Sequence, residues 1–352
     1  MMSWMIYGAT GYTGELIARE AVRLGLQPVL AGRSRDKLER LAAELNLTIC
    51  VFDLHYPAAV VDALEGVELV LHCAGPFSST SAPMIEGCLS VGAHYLDISG
   101  EASVFEHCHA QQQAERAKEK GLVLCSGVGF DVIPTDCIAL KLKQLLPDAT
   151  HLSLGFDTSS GLSPGTAKTA IEGLGLGNLE RIDGKLVYTA MGKKHREIDF
   201  GRGKRYAMAI PWGDVSSAYY TTGIANIDTW FPMRKSRVRG AQIINLLKPV
   251  LASRWLQALL KKLVDKQVKG PDDAARHRLP SYVWGEARNA EGRRVTVRIK
   301  TANGYSLTVD GALAIAQWLM HNTVAGGSYT PAMLLGAHFI ETLPGSGSFI
   351  ID

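Results

Sequence analysis

Two hydrophobic grammars divide the chain. Through residue 130, short apolar runs stand at Ser3–Gly8, Gln27–Ala31, Thr48–Phe52, Leu69–Ala74, His94–Ile98 and Leu122–Ser126. Runs this short and this continuously apolar read as strands buried on both faces. Between them, 3.6-residue periodicity predicts helices over Glu15–Leu24, Arg35–Leu45, Ser81–Val91 and Phe105–Lys120. Strands alternating with helices predict an α/β doubly wound parallel sheet, because right-handed crossovers place helices on both of its faces.

After about residue 147 the pattern turns to period two. His151–Asp157, Lys204–Pro211, Ala225–Phe231, Ser281–Ala290 and Arg293–Ala302 alternate apolar with polar residues, most cleanly at Val295, Val297 and Ile299. That is a sheet with one wet face, largely antiparallel, in a second α+β domain. Helical periodicity returns at Leu307–Leu319 and at Pro331–Leu343, either side of Ala325-Gly326-Gly327. The expected division is 1–130, then 131–305 for substrate or oligomerisation, with 306–352 free to pack back on the first domain.

Composition narrows the class. At 352 residues, 47% hydrophobic and 20% charged, the chain exceeds one core and is not disordered. A net charge of +3 supplies no global field for nucleic acid, so none is expected as partner. Six cysteines without a Cys-x-x-Cys pair read as reduced thiols. With no basic leader before the first strand and no membrane-length apolar run, the expected location is cytoplasmic.

One segment departs from the charge balance. Arg234–Lys269 holds ten Lys/Arg and a single acid, Asp265, which leaves net −6 for the rest of the chain. Leu247, Leu251, Trp255, Leu259 and Leu263 recur there at i+4, the signature of a basic amphipathic helix. Three covers suit that stripe: the second domain's core, a sister subunit in a homo-oligomer, or a peripheral lipid or acyl-chain contact.

The chemistry sits in the turn Gly8-Ala9-Thr10-Gly11-Tyr12-Thr13-Gly14, directly after a strand and opening a helix. Its glycines permit a tight bend and close approach of a pyrophosphate, whose charge the helix N-terminus holds. At the end of the second strand, an acid would accept the ribose 2′-OH of NAD. The chain instead has Arg33-Ser34-Arg35, two guanidinium groups and a hydroxyl suited to a 2′-phosphate, so NADP(H) is favoured. Asp53 is expected near adenine, and Ala74-Gly75-Pro76 at the crevice where nicotinamide would arrive.

Four longer signatures extend this reading: His94–Glu101 (HYLDISGE), Gly129–Asp136 (GFDVIPTD) and, later, Gly161–Thr166 (GLSPGT) with Gly326–Gly336. With the glycine turn they resemble the saccharopine dehydrogenase-like oxidoreductases, a group that includes trans-acting enoyl reductases. The resemblance implies a Rossmann domain, a second α+β domain and NADP in the cleft.

Glu101 and Asp131 fall in loops at the ligand edge of the sheet, where each is either a general acid or base or a structural carboxylate. No tyrosine has Lys at i+4, which removes short-chain dehydrogenase catalysis. His107-Cys108-His109, on a predicted helix, points to different faces, and no metal is expected. The sequence thus predicts NADP(H)-dependent hydride transfer to or from a small-molecule or acyl substrate, the alternative being a non-catalytic NADPH-binding sensor or interaction protein.

Overall fold

The computed structural model describes residues 2–158, 171, 176–245, 253–267 and 279–352. They divide into two units, Met1–Ile133 with Tyr305–Leu334, and Pro134–Gly304 with Leu335–Asp352. The tail from 306 is therefore split, its first part with unit one and its last 18 residues with unit two.

In the first unit, strands and helices alternate: β1 (Trp4–Tyr7), α1 (Tyr12–Arg23), β2 (Val29–Gly32), α2 (Arg35–Leu45), β3 (Ile49–Val51), α3 (Pro57–Leu64), β4 (Leu69–His72), α4 (Phe77–Val91), β5 (His94–Asp97), α5 (Ala102–Cys108), α6 (Gln111–Lys120) and β6 (Val123–Cys125). All pair in parallel in the order β3-β2-β1-β4-β5-β6, which is Rossmann topology. Met5, Val70, Tyr95 and Leu124 from the strands pack against Val60, Leu64, Met84, Ile85 and Leu89 of α3 and α4. These side chains are within 1% of full burial, each contributing about 1.5–3 kcal/mol of transfer free energy.

The second unit holds α7 (Ile133–Leu145), β7 (His151–Thr158), β8 (Asn178–Ile182), β9 (Lys185–Thr189), β10 (His195–Asp199), β11 (Lys204–Ile210), α8 (Asp214–Thr222), β12 (Asn226–Pro232), α9 (Lys235–Ile244), α10 (Arg254–Gln267), β13 (Ser281–Arg288) and β14 (Arg294–Thr301). α11 (Gly304–His321) and β15 (Gly327–Tyr329) return to the first unit. They are followed by α12 (Pro331–Leu335), α13 (Phe339–Thr342) and β16 (Ile350–Ile351). The second sheet runs β10-β11-β12-β7-β13-β14-β16, antiparallel except for β12 on β7, with the β8–β9 hairpin attached to β12. α7 lies close on this sheet at Gly285, where a Cβ would come within 2.4 Å of Ile138 and 2.8 Å of Leu142.

Several sequence expectations need correction. A seventh parallel strand, β15, joins the first sheet at β6, a pairing that a three-residue Gly-Ser-Tyr run does not announce. The single helix expected over Phe105–Lys120 is two, α5 and α6, broken at His109–Ala110, so His109 lies beyond α5 rather than on a continuous helix. Pro331–Leu343 likewise splits at Gly336, whose φ is +83°, into α12 and α13. GLSPGT, Leu247 and Leu251 lie outside the described residues.

Candidate functional site

The strand order reverses between β1 and β4, and the loops leaving these two strands meet there. Gly8 has φ +84°, and a Cβ on it would come within 2.7 Å of Ala74 N. Gly14 is closed as well, since its Cβ would sit 2.3 Å from Gly8 O. Both are glycine because the backbone itself fills the space. Gly11 differs: it is exposed, has an ordinary φ of −80°, and caps α1, with only Gly8 O within reach of an added Cβ at 3.3 Å. An open face at a helix N-terminus has the chemistry that suits a pyrophosphate. Thr10 and Thr13 are half-buried beside it, and Tyr12 meets Tyr305, at the start of α11, edge to face at 5.1 Å.

The residues expected at a 2′-phosphate follow β2. Arg33, Ser34 and Arg35 are exposed in succession. Ser34 precedes α2 yet makes no side-chain capping bond, and Arg35 has only a loose pair with Glu39 at 3.5 Å, both side chains more than half exposed. Such a pair contributes little and yields readily to a phosphate. Asp53 accepts from the backbone N–H of His55 at 3.0 Å, and its other partner is the His55 ring at 2.7 Å. Those bonds, with Arg33 nearby, hold its carboxyl below the usual range. Burial and Asp53 push the Tyr7 phenol up to about 12, so it stays neutral under this end of the site.

At the opposite end, Ala74-Gly75-Pro76 forms a turn with a cis Gly75–Pro76 bond. Thr80 Oγ1 donates to Ala74 O at 2.6 Å and is 3.0 Å from His72 Nε2, which then donates to the hydroxyl. Burial drives His72 down to about 3, leaving a neutral ring that braces this turn. Glu101 is engaged in the same place: its two carboxylate oxygens accept the N–H groups of Phe77 at 2.9 Å and Ser78 at 2.8 Å. A carboxylate on the first N–H groups of α4 stabilises the helix start, so Glu101 is positioned as a helix cap.

Asp97, at the end of β5, organises the neighbouring loops. It is fully buried and accepts from Ser99 N, Gly127 N and Tyr95 OH at 2.9, 2.9 and 2.7 Å. Burial raises its pKa against the pull of these bonds. It thereby ties the loop bearing Glu101 to the loop after β6, whose Phe130 N–H donates to Thr308 of α11 at 3.0 Å. Asp131 follows, packed so closely on Gly100 that an added Cβ would lie 3.0 Å from its own. Burial pushes its carboxyl up to about 6, at the ligand edge of the sheet.

The site thus gathers Gly8 through Gly14, Arg33, Ser34, Arg35, Asp53, Ala74, Gly75, Pro76, Glu101 and Asp131 on one edge of unit one. Sequence reading passed over His72, Thr80 and Asp97. Only Asp97 carried a signal, an acid ending an otherwise apolar strand. Among the described residues no three His, Cys, Asp or Glu side chains group as a metal site.

Three comparisons with known proteins bear on the fold and the family. Residues 4–125 match the sequence family described as saccharopine dehydrogenase NADP binding domain. The human saccharopine dehydrogenase-like oxidoreductase is 31% identical over 49% of this chain and 46% of its own length, so the match spans about half of each. A Mycobacterium tuberculosis protein bearing the name trans-acting enoyl reductase is 24% identical over 97% of this chain and 95% of its own. The apo saccharopine dehydrogenase (L-Glu forming) of Saccharomyces cerevisiae shares the fold across the full length of both chains, with a TM-score of 0.68 at 9% identity. Over residues 4–125 the chain is thus similar to saccharopine dehydrogenase NADP-binding domains, and as a whole it is similar to the saccharopine dehydrogenase-like oxidoreductases.

Proposed function

We propose that the protein is an NADPH-dependent oxidoreductase that moves hydride to or from a C=C, C=N or C=O bond of a small-molecule or acyl substrate. The observation that carries this reading is the pairing, on one sheet edge, of the open Gly11 turn with a carboxyl raised to about 6 at Asp131. NADPH, when bound, supplies the hydride. The chain's own residues do the rest. Gly11 and the α1 N-terminus hold the pyrophosphate, and Arg33, Ser34 and Arg35 take the 2′-phosphate. His72, Thr80 and Glu101 fix the turn at the nicotinamide end. Asp131 holds a proton for the reduced product or accepts one in the reverse direction, its raised pKa matching that task near neutral pH.

The test is NADPH oxidation by the full chain over a panel of enoyl, imine and carbonyl acceptors, beside direct NADPH titration. Turnover on any acceptor, lowered in Asp131→Asn with NADPH affinity kept, supports the reading. NADPH binding without turnover on any member favours the sensor alternative.

A further inference from the structure

The end of β12 and the start of α9 border a cleft of about 770 Å³ in the second unit. Four cations line it, Lys204, Arg205, Arg234 and Arg237, together with the apolar Phe231 and Met233. Arg205 reaches only Asp157, at 3.7 Å, and that carboxylate is already bonded by Arg202 through two contacts of 2.7 Å. Among the described residues, Lys204, Arg234 and Arg237 have no carboxylate within ion-pair distance. Lys235, between the two arginines, has its ammonium over the Tyr206 ring at 5.1 Å. Like charges gathered in one concavity repel, a cost that a bound anion offsets.

The same stretch of chain leads on to α10. There Trp255, Leu259 and Leu263 are 67%, 48% and 43% exposed, and their i, i+4, i+8 spacing puts them on one face. These three side chains are exposed rather than buried, unlike the core packing that was one of the three covers open to the sequence. Across Arg234–Lys269 ten cations face one acid.

We propose that the cationic cleft and the exposed stripe of α10 dock the second unit on an anionic phospholipid membrane. The cleft takes headgroup phosphates, and α10 lays Trp255, Leu259 and Leu263 at the boundary between headgroups and acyl chains. A phosphate on Arg234 and Arg237 makes charge-assisted bonds that the cleft lacks on its own. A tryptophan with leucines on a cationic helix is the composition that partitions to that boundary. A free anion would use the cleft and leave the exposed stripe without a partner, whereas an anionic bilayer offers a partner of matching chemistry to each. This inference stands apart from the hydride-transfer reading, since it concerns the second unit alone.

The experiment is co-sedimentation of the full chain with vesicles of phosphatidylcholine, alone or mixed with phosphatidylglycerol. NADPH affinity and molecular mass are measured on the same samples. Wild type is expected to partition at least about tenfold more strongly onto the anionic vesicles, with that excess lost at high salt. Arg234→Glu/Arg237→Glu and Trp255→Ala/Leu259→Ala should each lower the partition about tenfold or more while NADPH affinity is kept. Equal partition onto both vesicle types overturns the proposal. So does inorganic phosphate binding without vesicle binding, which would mark a site for soluble anions. A doubled mass that Trp255→Ala/Leu259→Ala returns to a single chain, again without vesicle binding, would make the stripe a subunit contact and also overturn it.

Discussion

Replacing Glu101 separates a catalytic carboxylate from a structural one. Its two oxygens receive the N–H groups of Phe77 and Ser78 at 2.9 and 2.8 Å, at the start of the 15-residue helix α4. Glu101→Gln keeps one acceptor oxygen and loses the charge at the helix N-terminus. One hydrogen bond at about 0.5–1.5 kcal/mol and a dipole interaction at about 0.3–1 kcal/mol give a loss near 1–2.5 kcal/mol. Glu101→Ala removes both acceptors and is expected to cost about 2–4 kcal/mol. At about 2–4 °C per kcal/mol, the alanine variant should lower the first unit's melting transition by about 4–16 °C, and glutamine by roughly half as much. The assay is calorimetry of both variants beside NADPH titration and the pH dependence of turnover. Graded loss of stability with an unmoved pH profile is the expected result. A Glu101→Ala protein as stable as wild type, or a Gln variant of full stability with no turnover, would refute the capping argument.

The remaining expectations concern the coenzyme and the proton. Arg33→Asp removes a charge-assisted bond and adds repulsion, so NADPH should weaken by about 10–150-fold or more while NADH changes little. Equal loss for both coenzymes in fluorescence titration would show that Arg33 does not face the 2′-phosphate. Gly11→Val keeps an allowed backbone but fills the open face of the turn. NADPH affinity should fall about 10²–10⁴-fold with the circular dichroism spectrum intact, and near-normal affinity would remove this turn as the phosphate site. Asp131 has a folded pKa of about 6 against an ordinary 3.8, so the folded state binds more protons in that interval. Its contribution to stability therefore falls as pH rises from about 4 to 6 and is flat above. If Asp131 gives the proton, kcat/KM should also fall as pH rises through about 6. Asp131→Asn should abolish both dependences, and an unchanged pH–stability curve by denaturant titration would show that the carboxyl does not titrate there.

What was legible in the sequence was what local chemistry decides. Arg35–Leu45 is a helix over the expected residues, because its apolar Leu38 and Leu41 face the sheet and Asn46, at φ +53°, ends it. The glycine turn was legible because three glycines spanning the junction of a strand and a helix have a physical reason to be there. α3 was missed since Pro57–Leu64 is eight residues, too short for a helical period to stand out. The break between α5 and α6 carries neither Gly nor Pro, so no local signal marks it. Glu101's role was hidden for another reason. Its partners lie 24 and 23 residues away, and only the folded sheet brings them to it.

β15 pairs with β6 from about 200 residues further along the chain, and Ser328 Oγ anchors it by donating to Cys108 O at 2.6 Å. During synthesis, then, the coenzyme-binding unit cannot close in the order in which its residues appear. Until Gly327–Tyr329 has been made, Val123–Cys125 is the bare edge of a parallel sheet, apolar and with unpaired backbone groups. The ribosome must deliver all of Pro134–Gly304 during that interval, at about 5–20 residues per second. A nascent chain stalled in that window, or a fragment cut after Ile133, would present a sticky strand edge. The β6 edge is thus a hazard of the nascent chain, removed only when β15 pairs with it.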